Sequence, residues 1–303
     1  MPEYTKEQYS KEPYSCEEHI KLLTERGLLI ENEARAIKYI ETIGYYRLSG
    51  YMFHLQNKAS DNTFVPNTSF DDIINIYKFD KALRSIILEY IERIEVCIRA
   101  KISNHYSLRH GFFWYLDEKL FADQNAYSII KEYVIENFND PKEHFLKAFK
   151  WKYSNNFPPS IMVMEILTFG KVAKLYSGLN NDETKKAIAD EFSLLPDHLS
   201  SWLIYINNVR NICAHHSRLW NKRVTANQPI IPQRKKNKFN GSIPENFNTS
   251  VYGIISIIDR LLSSFNKDNS FAAKISELVN TFNIDATLMG FPDDWKTNAT
   301  WLS

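Results

Sequence analysis

Residues 69–108 read SFDDIINIYKFDKALRSIILEYIERIEVCIRAKISNHYSL. Apolar side chains recur in this stretch at intervals of three and four residues, the spacing of one face of an α-helix. They are Ile73, Ile76, Tyr77, Leu83, Ile87, Tyr90, Ile91, Ile94, Ile98 and Ile102. Ser69, followed three positions later by Asp72, has the form of a capping box at a helix N-terminus. The pattern predicts one long helix, or two nearly continuous ones, to about residue 108.

The same helical spacing dominates the rest of the chain, and the alternation typical of β-strands is scarce. Further helices are predicted over residues 17–26, 32–43, 126–138, 141–153, 160–178, 182–192, 196–216, 249–266 and 270–282. We predict an all-α multi-helix bundle in two parts. Residues 1–68 would form an N-terminal helical region packed on a core, residues 69–303. The basic loop 222–247 lies within the core region, and we expect its proline-flanked segment 233–238 to have little core to lose.

Composition narrows the class of protein. Hydrophobic residues make up 44% of the 303 residues and aromatic residues 14%, which argues against disorder. Three separated cysteines, Cys16, Cys97 and Cys213, form neither a disulfide framework nor a zinc pattern, so we expect a reducing compartment. No apolar run approaches the roughly 18–20 residues that span a bilayer. We therefore expect a cytoplasmic protein with no membrane partner.

Positive charge is concentrated late in the chain, although the net charge is only +1. No acidic residue occurs between Asp197 and Glu245. Besides Arg210, we expect the cations of this stretch to bind RNA phosphates. They are Arg218, Lys222, Arg223, Arg234, Lys235, Lys236 and Lys238. The alternative is a basic surface loop that binds nothing.

The segment RNICAHHSRLWN, residues 210–221, combines the groups that phosphodiester cleavage needs. Arg210 could hold the scissile phosphate and neutralise charge in the transition state. His215 could act as general acid or base near neutral pH, with Asn211 and His216 in support. If the ribose 2′-hydroxyl is the nucleophile, no metal is needed, and RNA is cut while DNA is spared. We expect no cofactor.

The spacing of Arg210 and His215 constrains such a site. At about 100° per residue they lie about 140° apart around a regular helix, so they cannot share one face unless the helix ends or bends between them. Two copies of the chain, each contributing one of the two residues across a symmetric interface, would resolve this. Asn211 is four residues before His215 and could orient its ring. A zinc site built on Cys213, His215 and His216 is disfavoured, since adjacent histidines diverge and no fourth ligand is near.

Three blocks resemble the Abi family of bacterial abortive-infection proteins, in particular the AbiD/AbiF type. They are IGYYRLSGY at 43–51, FDDIINIYKFDKALRSIILEYIERIEVCIRA at 70–100 and RNICAHHSRLWN at 210–221, in the family's order. That family belongs to the HEPN superfamily, whose signature is Arg, four to six residues, then His. Arg210 and His215 match the signature, and His216 is also within range.

The resemblance implies a HEPN-type helical core, a homodimer that joins two motifs, and metal-independent endoribonuclease activity. It also implies a toxin-like role in phage defence, controlled in some members by a partner noncoding RNA, as in toxin–antitoxin pairs. Two alternatives stay open: a noncatalytic RNA-binding protein that uses the same basic face, and a helical adaptor that senses a phage protein.

Overall fold

The computed structural model describes residues 8–10, 12–57, 62–233, 238–239 and 243–297. Within these ranges the chain forms α-helices, short 3-10 helices and isolated β-bridges, and it contains no β-strand. The predicted all-α class is confirmed. Among the helices of the described ranges, none is both long enough and apolar enough to cross a membrane.

The chain divides into two compact units, and the division falls after Asp80. The first unit holds three helices and the start of a fourth: α1 (Cys16–Glu25), α2 (Glu33–Ile43), α3 (Tyr45–Met52) and α4 (Phe70–His110). Within it, the Tyr51 hydroxyl is buried and donates a 2.6 Å hydrogen bond to the Asp80 carboxylate. That a region 1–68 packs on a core beginning at residue 69 stays a prediction.

Helix α4 is one continuous helix of 41 residues. Its N-terminus carries the predicted capping box: the Ser69 backbone N–H donates to the Asp72 carboxylate at 2.8 Å, and the Asp72 N–H donates to the Ser69 hydroxyl at 3.2 Å. The helical stripe predicted from the sequence is fully buried from Leu83 to Ile102. On the flank of this stripe, Arg99 pairs with Glu95 one turn away and also donates to the carbonyl oxygen of Met164, far along the chain.

The second unit continues from α4 through eight further helices of the described chain. These are α5 (Gln124–Asn139), α6 (His144–Lys152), α7 (Ser160–Ile166), α8 (Phe169–Gly178), α9 (Glu183–Glu191), α10 (Pro196–Ala214), α11 (Val251–Phe265) and α12 (Phe271–Thr281). Helix α10 packs against α8, α9 and α11, and α11 also contacts α12. Helix α10, which carries the Arg–His segment, is therefore held on several sides.

One predicted helix is two helices. The sequence predicts a single helix over residues 160–178, but α7 ends at Ile166 and α8 begins at Phe169. Leu167 and Thr168 between them are extended, and the Thr168 hydroxyl accepts a hydrogen bond from the Lys171 N–H as the N-cap of α8. The break contains neither Gly nor Pro, and Thr168 is its sequence signal, since threonine is a favoured N-cap.

Helix α11 is buried on nearly all faces, and Gly253 permits its close approach to the preceding turn. A Cβ on Gly253 would lie 1.7 Å from the carbonyl oxygen of Phe247, which is backbone and cannot rotate away. We expect Gly253→Ala to destabilise the protein by at least about 1–3 kcal/mol, the usual cost of overpacking. The measurement is chemical denaturation. Gly170→Ala is the matched control, because the atoms nearest to its Cβ would belong to the Asn207 side chain, at 3.2 Å and beyond. Equal stability of both variants would contradict this packing.

Candidate nucleic-acid interface at the end of helix α10

Helix α10 is oriented by one apolar stripe. Its inward side chains recur at helical spacing and are almost fully buried: Leu199, Trp202, Leu203, Ile206, Val209 and Cys213. Arg210 falls outside this stripe and is exposed. The core therefore fixes the helix while leaving Arg210 at the surface.

The helix ends within the Arg–His segment, two residues earlier than predicted. His215 is the C-cap, and His216 has a φ of 57°, in the left-handed region. The Ser217 N–H donates to the Ile212 carbonyl and the His216 N–H donates to the Cys213 carbonyl, each at 3.0 Å. These two bonds form a Schellman motif, in which the left-handed position is usually glycine. His216 thus occupies a strained position that terminates the helix.

An open cleft of about 400 Å³ lies where α10 ends. One wall is helical, and the other is the extended chain that follows the motif. Helical spacing explains the first wall, because positions 208, 211, 212 and 215 fall on one face. The lining residues from the helix and its end are Asn208, Asn211, Ile212, His215 and Ser217, and those from the following chain are Lys222, Arg223, Val224, Thr225 and Ala226.

Arg210 and His216 do not line this cleft, as far as the described residues define it. Arg210 lies nearly opposite Asn208 around the helix, since two residues correspond to about 200°. Its guanidinium bends toward the cleft side and donates to the Asn211 side-chain oxygen at 3.3 Å. In a single copy Arg210 therefore lies outside the cleft that His215 lines, although α10 ends between the two residues. The Asn211 oxygen is directed to Arg210, and a role of Asn211 in orienting His215 stays a prediction.

Lys222 and Arg223 are the cations that the fold brings to His215. Both line its cleft, and Arg223 is exposed. The carbonyl groups at a helix C-terminus carry partial negative charge, which favours cations at this end of α10. Of the other predicted RNA-binding residues, Arg218 is half-buried and Lys238 is exposed, while Arg234, Lys235 and Lys236 lie outside the described residues.

Described parts of the basic loop 222–247 are anchored in the core. Residues 234–237, most of the segment expected to have little core to lose, lie outside the described residues, so that expectation stays a prediction. Phe239 is buried and stacks on Trp202 with ring centroids 5.8 Å apart. The Arg260 guanidinium lies 5.0 Å from the Phe239 ring centroid, and its burial lowers the pKa of this side chain. The Trp202 indole N–H also donates to the Ile230 carbonyl at 2.9 Å. These contacts hold Ile230 and Phe239 of the loop against α10 and α11.

Sequence reasoning missed Asn208, Ser217 and Thr225 as lining residues. Asn208 could have been found from helical spacing, since it precedes Asn211 by three positions and His215 by seven. Nothing in the sequence indicates that residues 222–226 fold back on the helix end. In the described ranges, no group of three or more His, Cys, Asp and Glu side chains is arranged to hold a metal ion. Cys213 is buried, whereas His215 and His216 are exposed.

The strained turn gives a test of His216. Glycine adopts a positive φ without a Cβ penalty, so His216→Gly should preserve the helix end. We expect the melting temperature to stay within a few degrees of wild type and the rate of any RNA cleavage to stay within about threefold. If this ring were the general acid or base, its removal would lower the rate far more. Thermal denaturation and a cleavage time course measure both. A loss of a hundredfold in a folded His216→Gly protein would make His216 the catalytic histidine.

Comparison with known proteins agrees with the three sequence blocks. The family model described as Abi-like protein matches residues 38–221, more than half of the chain, and the matched range includes all three blocks and ends just after Trp220. No curated protein and no solved structure matches the chain. The chain therefore belongs to the Abi-like family of abortive-infection proteins, and this membership implies a role in defence against phage.

Proposed function

We propose that this protein is a metal-independent endoribonuclease of the HEPN type that acts as a toxin-like effector in abortive infection. The observation that supports this most directly is the position of His215. It is exposed and lines an open cleft whose charged lining residues are Lys222 and Arg223. A titratable ring beside two cations suits a ligand that carries phosphate and exchanges protons.

The proposed reaction is a transesterification within the RNA. The ribose 2′-oxygen attacks the adjacent phosphorus while its proton is removed, and the bond from phosphorus to the 5′-oxygen breaks. The leaving 5′-oxygen takes a proton. The products are a 2′,3′-cyclic phosphate and a 5′-hydroxyl, and the reaction requires neither a water molecule nor a metal ion. His215 would transfer one of these protons, and Arg210 would neutralise the charge that develops on the phosphate.

The two key residues would come from different copies of the chain. In one copy Arg210 lies outside the cleft that His215 lines. A homodimer with an isologous interface pairs the same surface with itself, so the exposed Arg210 of one copy could face the cleft of the other. The Asn211 oxygen, which accepts from Arg210 within one copy at 3.3 Å, would hold the guanidinium near the rim.

The chemistry predicts the cleavage products and the substrate requirement. Cleavage should persist in EDTA and leave 2′,3′-cyclic phosphate ends. RNA with 2′-deoxy or 2′-O-methyl at the cut site should resist by at least about a hundredfold, since the nucleophile is removed. The measurement is electrophoresis of end-labelled RNA with enzymatic mapping of the termini. Activity that vanishes with EDTA and returns with a divalent ion would overturn this mechanism.

The rival functions give different results in the same experiment. A noncatalytic RNA-binding protein, which Lys222 and Arg223 would also serve, shifts RNA on a gel without cutting it. A helical adaptor that senses a phage protein does neither. If the nuclease is controlled by a noncoding RNA, expression of the protein alone should arrest growth and degrade cellular RNA. A His215→Ala copy should do neither.

A further inference from the structure

The cleft beside His215 has the size and lining of a subsite for one nucleotide. Its volume of about 400 Å³ falls at the small end of the roughly 300–1,000 Å³ typical of ligand sites. Two cations stand on one wall, and side-chain amides stand on the other. Cations bind a phosphate, and side-chain amides form hydrogen bonds with the edge of a base.

Asn208 is the residue best placed to meet a base. Its side-chain N–H donates to the Ala226 carbonyl at 3.3 Å, which directs the amide across the cleft toward the opposite wall. An amide has two N–H donors and a carbonyl acceptor, so this bond leaves one N–H and the oxygen for a ligand. A donor beside an acceptor matches the edge of an unpaired base in single-stranded RNA.

We propose that this cleft binds one nucleotide of single-stranded RNA next to the cleaved phosphate. Lys222 and Arg223 contact its phosphate, and the Asn208 amide reads the edge of its base, which makes Asn208 a specificity-determining residue. The proposal rests on the proposed function, because it takes RNA as the ligand. It goes further in assigning base preference to a residue outside the Arg–His segment.

The test is binding of RNA that cannot be cut, which separates recognition from cleavage. Fluorescein-labelled 2′-O-methyl hexamers of U, A and C are titrated with the full-length protein, and anisotropy is followed. Wild type should prefer one hexamer by about tenfold, the discrimination of one well-placed pair of hydrogen bonds. Asn208→Ala should reduce the affinity for the preferred hexamer about tenfold, so that the affinities for the three hexamers differ by no more than about twofold. Asn208→Asp, of nearly the same shape, should also lose the preference, because it replaces the N–H donor.

Matched control variants distinguish base recognition by Asn208 from a general structural effect of the substitution. Asn207→Ala removes the same side chain one position away, where it lies beside Gly170 of α8, and the preference should survive. Lys222→Gln and Arg223→Gln should each reduce the affinity for all three hexamers by the same factor. Each should also flatten the slope of log affinity against log salt by about 0.7 for every phosphate that the variant no longer neutralises. Lys267→Gln, an exposed cation outside the cleft, should change neither.

Two outcomes overturn the subsite: equal affinity of wild type for the three hexamers, or a folded Asn208→Ala protein that keeps the wild-type preference. Unmodified RNA distinguishes this failure from failure of the nuclease. If the protein prefers one hexamer but cleaves no RNA, the nuclease proposal is contradicted and the subsite proposal is supported. If Asn208→Ala cleaves RNA at the same sites and the same rate as wild type, the subsite proposal is contradicted and the nuclease proposal is supported.

Discussion

Arg210→Ala and His215→Ala should each reduce RNA cleavage by at least about a hundredfold while leaving the protein folded. General acid–base catalysis contributes about 10²–10⁴ to a rate, and one group that stabilises transition-state charge contributes about 10²–10³. Both side chains are exposed, so their removal opens no cavity in the core. The melting temperature should therefore stay within a few degrees of wild type.

Exposed residues of the same types serve as controls for these two variants. His144 begins α6 and Arg109 lies in the last turn of α4, where it pairs with Glu183. His144→Ala and Arg109→Ala should cleave RNA at nearly the wild-type rate. Cleavage is followed as initial rate on a labelled RNA, and folding by circular dichroism. Wild-type rates in both Arg210→Ala and His215→Ala would show that the site lies elsewhere.

The long helix α4 was predictable because its signals are local and agree. An apolar stripe at intervals of three and four continues without interruption, and Ser69 with Asp72 marks its start. The break at Leu167 and Thr168 was not predicted, because it depends on one capping threonine within an otherwise helical pattern. Such a cap contributes only about 1 kcal/mol, which tertiary packing can override in either direction.

The candidate site was predictable only in part. The sequence identifies the Arg–His segment and its geometric conflict, and the structure places Arg210 outside the cleft that His215 lines. The early end of α10 was not predicted, since the residue that ends it is a histidine at a position where glycine is usual. The return of residues 222–226 along the helix end depends on tertiary contacts, among them the Val224 N–H donating to the Thr249 carbonyl at 2.9 Å. No local pattern encodes such a contact.

A heterodimer of two inactive copies should regain cleavage if Arg210 and His215 act across an interface. One copy carries Arg210→Ala and the other His215→Ala. Of the two sites in this heterodimer, one lacks both residues and the other has both intact. Activity should therefore return to about half that of the wild-type dimer, from a level at least about a hundredfold lower in either parent. If each site is built within one copy, every site in the heterodimer stays defective.

The decisive measurement of a shared Arg210–His215 site uses this heterodimer. The two variants are co-expressed with different affinity tags, purified on both tags in turn, and assayed on end-labelled RNA in EDTA beside each parent homodimer. A site shared between copies predicts about half of the wild-type rate, with products ending in 2′,3′-cyclic phosphate. A purified heterodimer that cleaves no faster than its parents would contradict a shared Arg210–His215 site.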